Sequence, residues 1–154
     1  MPKIKCIIIE DEPLAVKVLA DYVAQVPFLQ LEGSFKDALL ATEWLRTHEV
    51  QLMFLDIHLP KLKGMAFLKT LAQKTAVIIT TAYHQYAVES FELNVTDYLL
   101  KPIEFERFLI AVNKVRVTNN NTHSMNEADG MKDYLFLTVQ KKKVKILLLS
   151  FFQK

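Results

Sequence analysis

Cysteine is nearly absent from this sequence. The single one, Cys6, excludes any internal disulfide and points to a reducing cytosol. It stands inside the apolar run Ile4 to Ile9, the setting of a small buried thiol rather than of a nucleophile. No stretch reaches the ~18 consecutive apolar residues needed to span a bilayer. The amino terminus offers Lys3 and Lys5 and then a strand-like run, with no apolar region of the signal-peptide kind. No glycine-rich loop follows the first apolar run, which counts against a nucleotide or flavin cradled there. No internal repeat is visible. A cytoplasmic chain without a membrane segment is expected.

About half of the residues are apolar and about a quarter charged, ordinary for a globular protein, and 154 residues suffice for one well-buried domain with a modest remainder. The net charge of +2 hides an asymmetry. Residues 1–113 hold 11 Lys and Arg against 14 Asp and Glu, a net of −3, whereas residues 114–154 hold 8 against 3, a net of +5. That contrast suggests two units with different partners, although +5 is too small to establish nucleic-acid contact.

Ile4 to Ile9 reads as a central strand covered on both faces. Glu10-Asp11-Glu12 follows, and Pro13 opens a helix whose apolar positions Leu14, Val18, Tyr22 and Val26, flanked by Ala15, Leu19 and Val23, recur at helical spacing. Phe28 to Phe35 reads as a second strand interrupted by Gly33. Ser34 or Asp37 can cap the next helix, whose stripe is Ala38, Ala41, Trp44 and Leu45. Leu52 to Asp56 is a third strand, followed by a loop from Pro60 to Gly64 and a helix from Met65 to Gln73 that buries Leu68, Leu71 and Ala72. Ala76 to Thr80 is a fourth strand, a short helix is expected around Tyr86 to Glu92, and Asp97 to Leu100 is a fifth strand. A last helix from Glu104 to about Val117 buries Phe105, Phe108, Leu109, Val112 and Val115. Five strands alternating with five helices predict an α/β fold: a doubly wound parallel sheet.

The composition then changes. Residues 118–133, with Asn119, Asn120 and Asn121 in succession, read as a linker, and residues 134–154 as a β-rich tail with strands at Tyr134 to Gln140 and Val144 to Leu149. The apolar end, Ile146 to Phe152, is an aggregation liability unless it docks.

Ligands of open parallel sheets bind outside the carboxyl ends of the strands, where strand order reverses. Glu10 and Asp11 follow the first strand, Asp56 ends the third, Thr81 follows the fourth, and Lys101-Pro102 follows the fifth. Each has an ordinary reading by itself: a charge complement at a helix start, a strand-terminating cap, a β-former, a solvated lysine. Together, in a sheet of order 2-1-3-4-5, they bring three carboxylates into one crevice, where mutual repulsion calls for a cation. Hard oxygen ligands suit Mg²⁺. A metal, a hydroxyl and a lysine around an isolated aspartate fit phosphoryl transfer to that carboxylate.

The ordered segments I-I-I-E-D-E-P, F-L-D-I-H-L-P, T-T-A-Y and Y-L-L-K-P resemble the signature of response-regulator receiver domains, over residues 3 to 117. T-A-Y-H-Q-Y-A with D-Y-L-L-K-P is similar to the receivers of LytTR-type regulators, and K-D-Y-L-F-L-T-V-Q-K-K-K-V-K-I resembles the first strands of their DNA-binding domain. The resemblance implies a flavodoxin-like fold, a receiver over 1–117, and Asp56 as phosphoacceptor. It implies Asp11 as direct Mg²⁺ ligand, Glu10 as ligand through a metal-bound water, Asp56 as a further ligand, and the His58 backbone carbonyl as another. Thr81 would be the switch hydroxyl that moves to bond the phosphoryl group, Lys101 the electrostatic partner of that group, Tyr98 the switch aromatic, and Lys101-Pro102 a cis peptide. His58 and Tyr83 occupy the variable positions that tune phosphoryl lifetime. The implied partners are a sensor histidine kinase and a second copy, a homodimer through the face of the fourth helix, fifth strand and fifth helix.

The implied function is a phosphorylation-dependent response regulator of a two-component system, in the full-length family a transcription regulator. Sequence-specific DNA binding by these 154 residues is not expected, because the tail supplies only the start of such a domain. Two alternatives stand beside it. One is an aspartate-nucleophile phosphohydrolase; His58 holds the position two residues past Asp56 where such enzymes carry a second acid. The other is an interaction module that works without phosphorylation.

Overall fold

Ile4, Cys6 and Ile8 face one side of the sheet and Ile7 and Ile9 the other, the two-residue alternation of an extended chain. In the computed structural model, which describes residues 2–71, 74–83 and 94–123, this segment is strand β1 (Ile4–Ile9). The next elements are α1 (Pro13–Ala24), β2 (Leu29–Phe35), α2 (Ala38–Leu45), β3 (Leu52–Asp56) and α3 (Gly64–Leu68). They are followed by β4 (Ala76–Thr81), β5 (Asp97–Leu100) and α4 (Phe105–His123). All strand pairs are parallel, and the order is β2-β1-β3-β4-β5. The expected sheet is therefore the observed one. The chain divides into two units, Met1–Arg116 and Val117–Lys154, and the first contains the sheet.

The core lies in two layers. Leu52, Phe54 and Ile78 join Ile8 beneath Leu19 and Val23 of α1 and Phe108, Ala111, Val112 and Val115 of α4. Met53, Leu55, Val77 and Ile79 join Ile7 and Ile9 beneath Ala38 and Ala41 of α2 and Phe67 and Leu68 of α3. Each fully buried Leu, Ile or Phe contributes roughly 1.5–3 kcal/mol, so the central strands dominate the stability of the sheet. Asp37, not Ser34, caps α2, accepting a hydrogen bond from the Leu40 N–H at 2.9 Å.

Several sequence expectations need correction. Leu14 is 69% exposed, and of α1 only Leu19 and Val23 are buried. Strand β2 starts at Leu29; the Phe28 carbonyl already accepts from the Ile4 N–H. Its register against β1 shifts between Cys6 and Ile7, whose partners are Leu31 and Gly33, so Glu32 is the extra residue of a bulge. Helix α3 ends at Leu68 rather than Gln73, and Leu71 is half-buried against the core just after it. Helix α4 runs to His123, six residues into the stretch read as linker. No proline or glycine stands between Pro102 and Gly130, and asparagine weakens a helix without stopping it. The helix expected around Tyr86 to Glu92, Ala72, and the tail 134–154 lie outside the described residues.

Candidate functional site

The strand order makes β1 and β3 neighbours, with Ile9 opposite Leu55, so whatever follows Ile9 and Leu55 shares one end of the sheet. Glu10 continues the ladder by donating its N–H to the Phe35 carbonyl at 2.9 Å, and its side chain is buried. Asp56 is the last residue of β3, opposite Thr80 of β4, and is buried as well. Asp11 and Glu12 are exposed. Oxygens of Glu10, Asp11 and Asp56 lie within 4.8 Å of one another.

Lys101 enters this group from the end of β5, where its N–H donates to the Thr81 carbonyl at 2.7 Å. Its ammonium stands 2.9 Å from Glu10 Oε1, 3.4 Å from Asp56 Oδ2 and 3.7 Å from Glu12 Oε1. Asp56 Oδ1 accepts from the His58 N–H at 3.0 Å, and Oδ2 accepts from Lys101. Both oxygens of the acid are thereby oriented by donors. Glu10 Oε2 accepts from the Glu12 N–H at 3.1 Å. Glu10 Oε1, despite its closeness to Lys101, has no aligned hydrogen bond.

Electrostatics follow from burial and from this crowding. Burial pushes the Glu10 carboxyl up to about 7; Lys101 opposes the rise and Asp56 adds to it. Burial acts to lower the Lys101 ammonium, but Glu10 and Asp56 outweigh it and the net direction is up. The acids sit in a cleft of about 540 Å³, which Lys101, His58, Ala82 and Tyr83 also line.

The residues fit a divalent cation. A buried carboxylate oxygen lacks an aligned donor, and three carboxylates converge within a distance close to the ~4.2 Å span of an octahedral Mg²⁺ shell. Such a donor set is all oxygen, the preference of a hard cation.

Thr81 is fully buried and does not line the cleft; its hydroxyl accepts from the Tyr83 N–H at 3.0 Å and faces the Tyr83 carbonyl at 3.4 Å. The His58 side chain is exposed, and its ring meets Tyr83 edge-on at 5.0 Å between centroids. Tyr98 of β5 is half-buried against the layer formed with α2 and α3. The Lys101–Pro102 peptide is cis.

Two contributors were missed in the sequence. Glu12 adds a third carboxylate around Lys101, and the signal available was its place in the acidic run. Gly64 stands directly behind Asp56: a Cβ there would lie 2.4 Å from the Asp56 carbonyl oxygen and 2.8 Å from Ile57 Cα. With three glycines in the whole chain, one in the loop after the central acid was the available hint.

Comparison with known proteins agrees with this geometry. Residues 6–113 match the response regulator receiver domain family. Protein MrkE of Klebsiella pneumoniae is 35% identical over 132 residues, covering 84% of this chain and 48% of that protein. The transcriptional regulatory protein LytR of Staphylococcus aureus is 37% identical over 117 residues, covering 74% of this chain and 48% of that one. The chain thus spans about half the length of these curated relatives. Among solved structures, the response regulatory domain of MrkE from Klebsiella pneumoniae superposes with a TM-score of 0.71 at 33% identity, covering 76% of this chain and 98% of that one. With its residues 6–113 matched, its sheet order and its acidic cleft, this chain belongs to the response regulator receiver domain family of two-component signalling.

Proposed function

We propose that the chain is a phosphorylation-dependent switch that accepts a phosphoryl group on Asp56 from the phosphohistidine of a sensor histidine kinase. The observation that carries this reading is the Asp56 carboxylate itself. It is buried at a strand end, fixed through Oδ1 by the His58 N–H and through Oδ2 by Lys101, and it faces a cleft lined by three further acids. In the transfer, an Asp56 oxygen bonds to phosphorus while the P–N bond to the donor imidazole breaks, and the imidazole leaves with a proton.

Asp11, Glu10, Asp56 and the His58 carbonyl are the residues that would hold Mg²⁺. When bound, the ion supplies positive charge to the phosphoryl oxygens. Lys101, already between Glu10 and Asp56, supplies a second positive charge from the carboxyl end of β5. The Thr81 hydroxyl, engaged here with the Tyr83 main chain, is the group that would exchange those bonds for a phosphoryl oxygen. The new charge then biases an equilibrium between two arrangements of β4, β5 and the helix after them, with Tyr98 as the aromatic that changes place. His58 and Tyr83, edge to face in the lining of the cleft, would tune access of water to the acyl phosphate.

Likeness to the Staphylococcus aureus transcriptional regulatory protein LytR supports transcription as the output of a longer protein. A homodimer through β5, α4 and the segment before β5 is the corresponding proposal for how the switch is read.

Incubation with Mg²⁺ and acetyl phosphate, followed by intact mass, tests the reading. The wild type should gain one phosphoryl group and Asp56→Ala none; an unchanged wild-type mass rejects the switch.

A further inference from the structure

Asp97 opens β5 on the side of the strand away from the cleft, and its buried carboxylate holds two cations. Arg107 grips it with both ends of its guanidinium, Nη2 at 2.7 Å from Oδ1 and Nη1 at 3.0 Å from Oδ2. Lys114, two turns further along α4, reaches Oδ2 at 2.9 Å. Lys114 is thus a second cation on the carboxylate that Arg107 already holds.

What Arg107 adds is a hold on the next residue. Its Nη2 donates to the Tyr98 carbonyl at 3.0 Å, and its Cζ lies 5.8 Å from the centre of the Tyr98 ring, over its face. Asp97 Oδ1, which Arg107 orients, accepts from the Tyr98 N–H at 2.8 Å. A single ion pair therefore meets Tyr98 at its amide, its carbonyl and its ring.

The same strand leads to the cleft. Two residues after Tyr98, Leu100 pairs with Thr81, and Lys101 donates its N–H to the Thr81 carbonyl. A movement of Thr81 and Lys101 toward a phosphoryl group pulls on a strand whose other end Arg107 pins to α4.

We propose that Arg107 is a positioning residue of the switch: it holds Tyr98 in the unphosphorylated arrangement, and phosphorylation of Asp56 moves the chain to a state in which that hold is released. The inference rests on the reading of Asp56 and Tyr98 given above. Lys114 shares the carboxylate but is not part of the grip on Tyr98, which makes it the internal control.

The test uses the full chain labelled with 3-fluorotyrosine, with the Tyr98 signal among the five tyrosines assigned through Tyr98→Phe. In wild type the signal should move on phosphorylation by acetyl phosphate. In unphosphorylated Arg107→Gln it should already stand displaced toward that position, and phosphoryl uptake should quicken about two- to fivefold, the population change matching one partly exposed cation–π contact. Lys114→Gln should keep both the wild-type signal and the wild-type rate. Should Arg107→Gln not fold, Arg107→Lys keeps a cation on Asp97, removes the planar group from the ring, and carries the same expectation. A wild-type signal position in the Arg107 variant, or an equal displacement in Lys114→Gln, overturns the inference while leaving the phosphoacceptor reading intact. A wild type that takes up no phosphoryl group overturns that reading, and the inference with it.

Discussion

The ammonium of Lys101 lies closer to the buried carboxylate of Glu10, at 2.9 Å, than to Asp56, at 3.4 Å. Lys101 is thus the counter-ion of Glu10 as much as of Asp56. Removing it in Lys101→Met leaves two buried acids without their cation, at a cost of about 1–3 kcal/mol given the partial exposure of the lysine. Mg²⁺ should restore more of the lost stability in the variant than it adds to wild type, because it supplies the missing charge. Thermal unfolding with and without millimolar Mg²⁺ measures both shifts, and equal shifts in the two proteins would exclude this role.

Asp11→Ala tests the proposed metal role apart from folding. It is exposed, so Asp11→Ala should change stability by no more than about 0.5 kcal/mol. Phosphoryl uptake from acetyl phosphate should nonetheless fall at least about tenfold at fixed Mg²⁺, the scale of losing one charged ligand. Intact mass against time, across a Mg²⁺ titration, gives the result; retention of the wild-type rate would remove Asp11 from the metal role.

Gly64 probes the packing behind Asp56, the acid that ends β3. Alanine at a helix start improves helix propensity by at most ~1 kcal/mol. Against that stands a Cβ placed 2.4 Å from the Asp56 carbonyl oxygen and 2.8 Å from Ile57 Cα, main-chain atoms that cannot rotate away. Sterics win: Gly64→Ala should lose about 2–4 kcal/mol and slow phosphoryl uptake because Asp56 is displaced. Denaturant melts and mass-detected phosphorylation together check it; an alanine variant as stable and as fast as wild type would show that the loop yields without cost.

The strands were legible because they are covered on both faces: Ile4–Ile9, Leu52–Asp56 and Asp97–Leu100 have the limits their apolar patterns imply. The convergence of Glu10, Asp11 and Asp56 was legible too, since it needs only strand ends and strand order. Features set by tertiary contact were not. Leu14 has the spacing of a core residue but is left exposed, and the closeness of Gly64 to Asp56 is a fact about a folded loop rather than about a pattern. Arg107 looks in the sequence like one more charge on the polar face of a helix. Only the folded chain sets it against Asp97, ten residues away, and over Tyr98.

Asp97 gives the acid limb of stability. Burial acts to raise its carboxyl, but the Arg107 hydrogen bonds and the Lys114 charge outweigh it, so the folded-state value lies below the ordinary 3.8. A depressed acid contributes stability that is complete above its unfolded value and is lost as pH falls through the folded one. The contribution should therefore be whole above about pH 4 and decline below it. Asp97→Asn removes it, leaves Arg107 facing a neutral amide, and should cost about 2–4 kcal/mol at pH 7. As the pH drops below about 4, the stabilities of variant and wild type should converge, because wild type is then losing the same ion pair by protonation. Urea melts from pH 7 to pH 2.5 follow the difference; a gap of constant size across that range would mean that the Asp97 charge is not what stabilises the junction of β5 with α4.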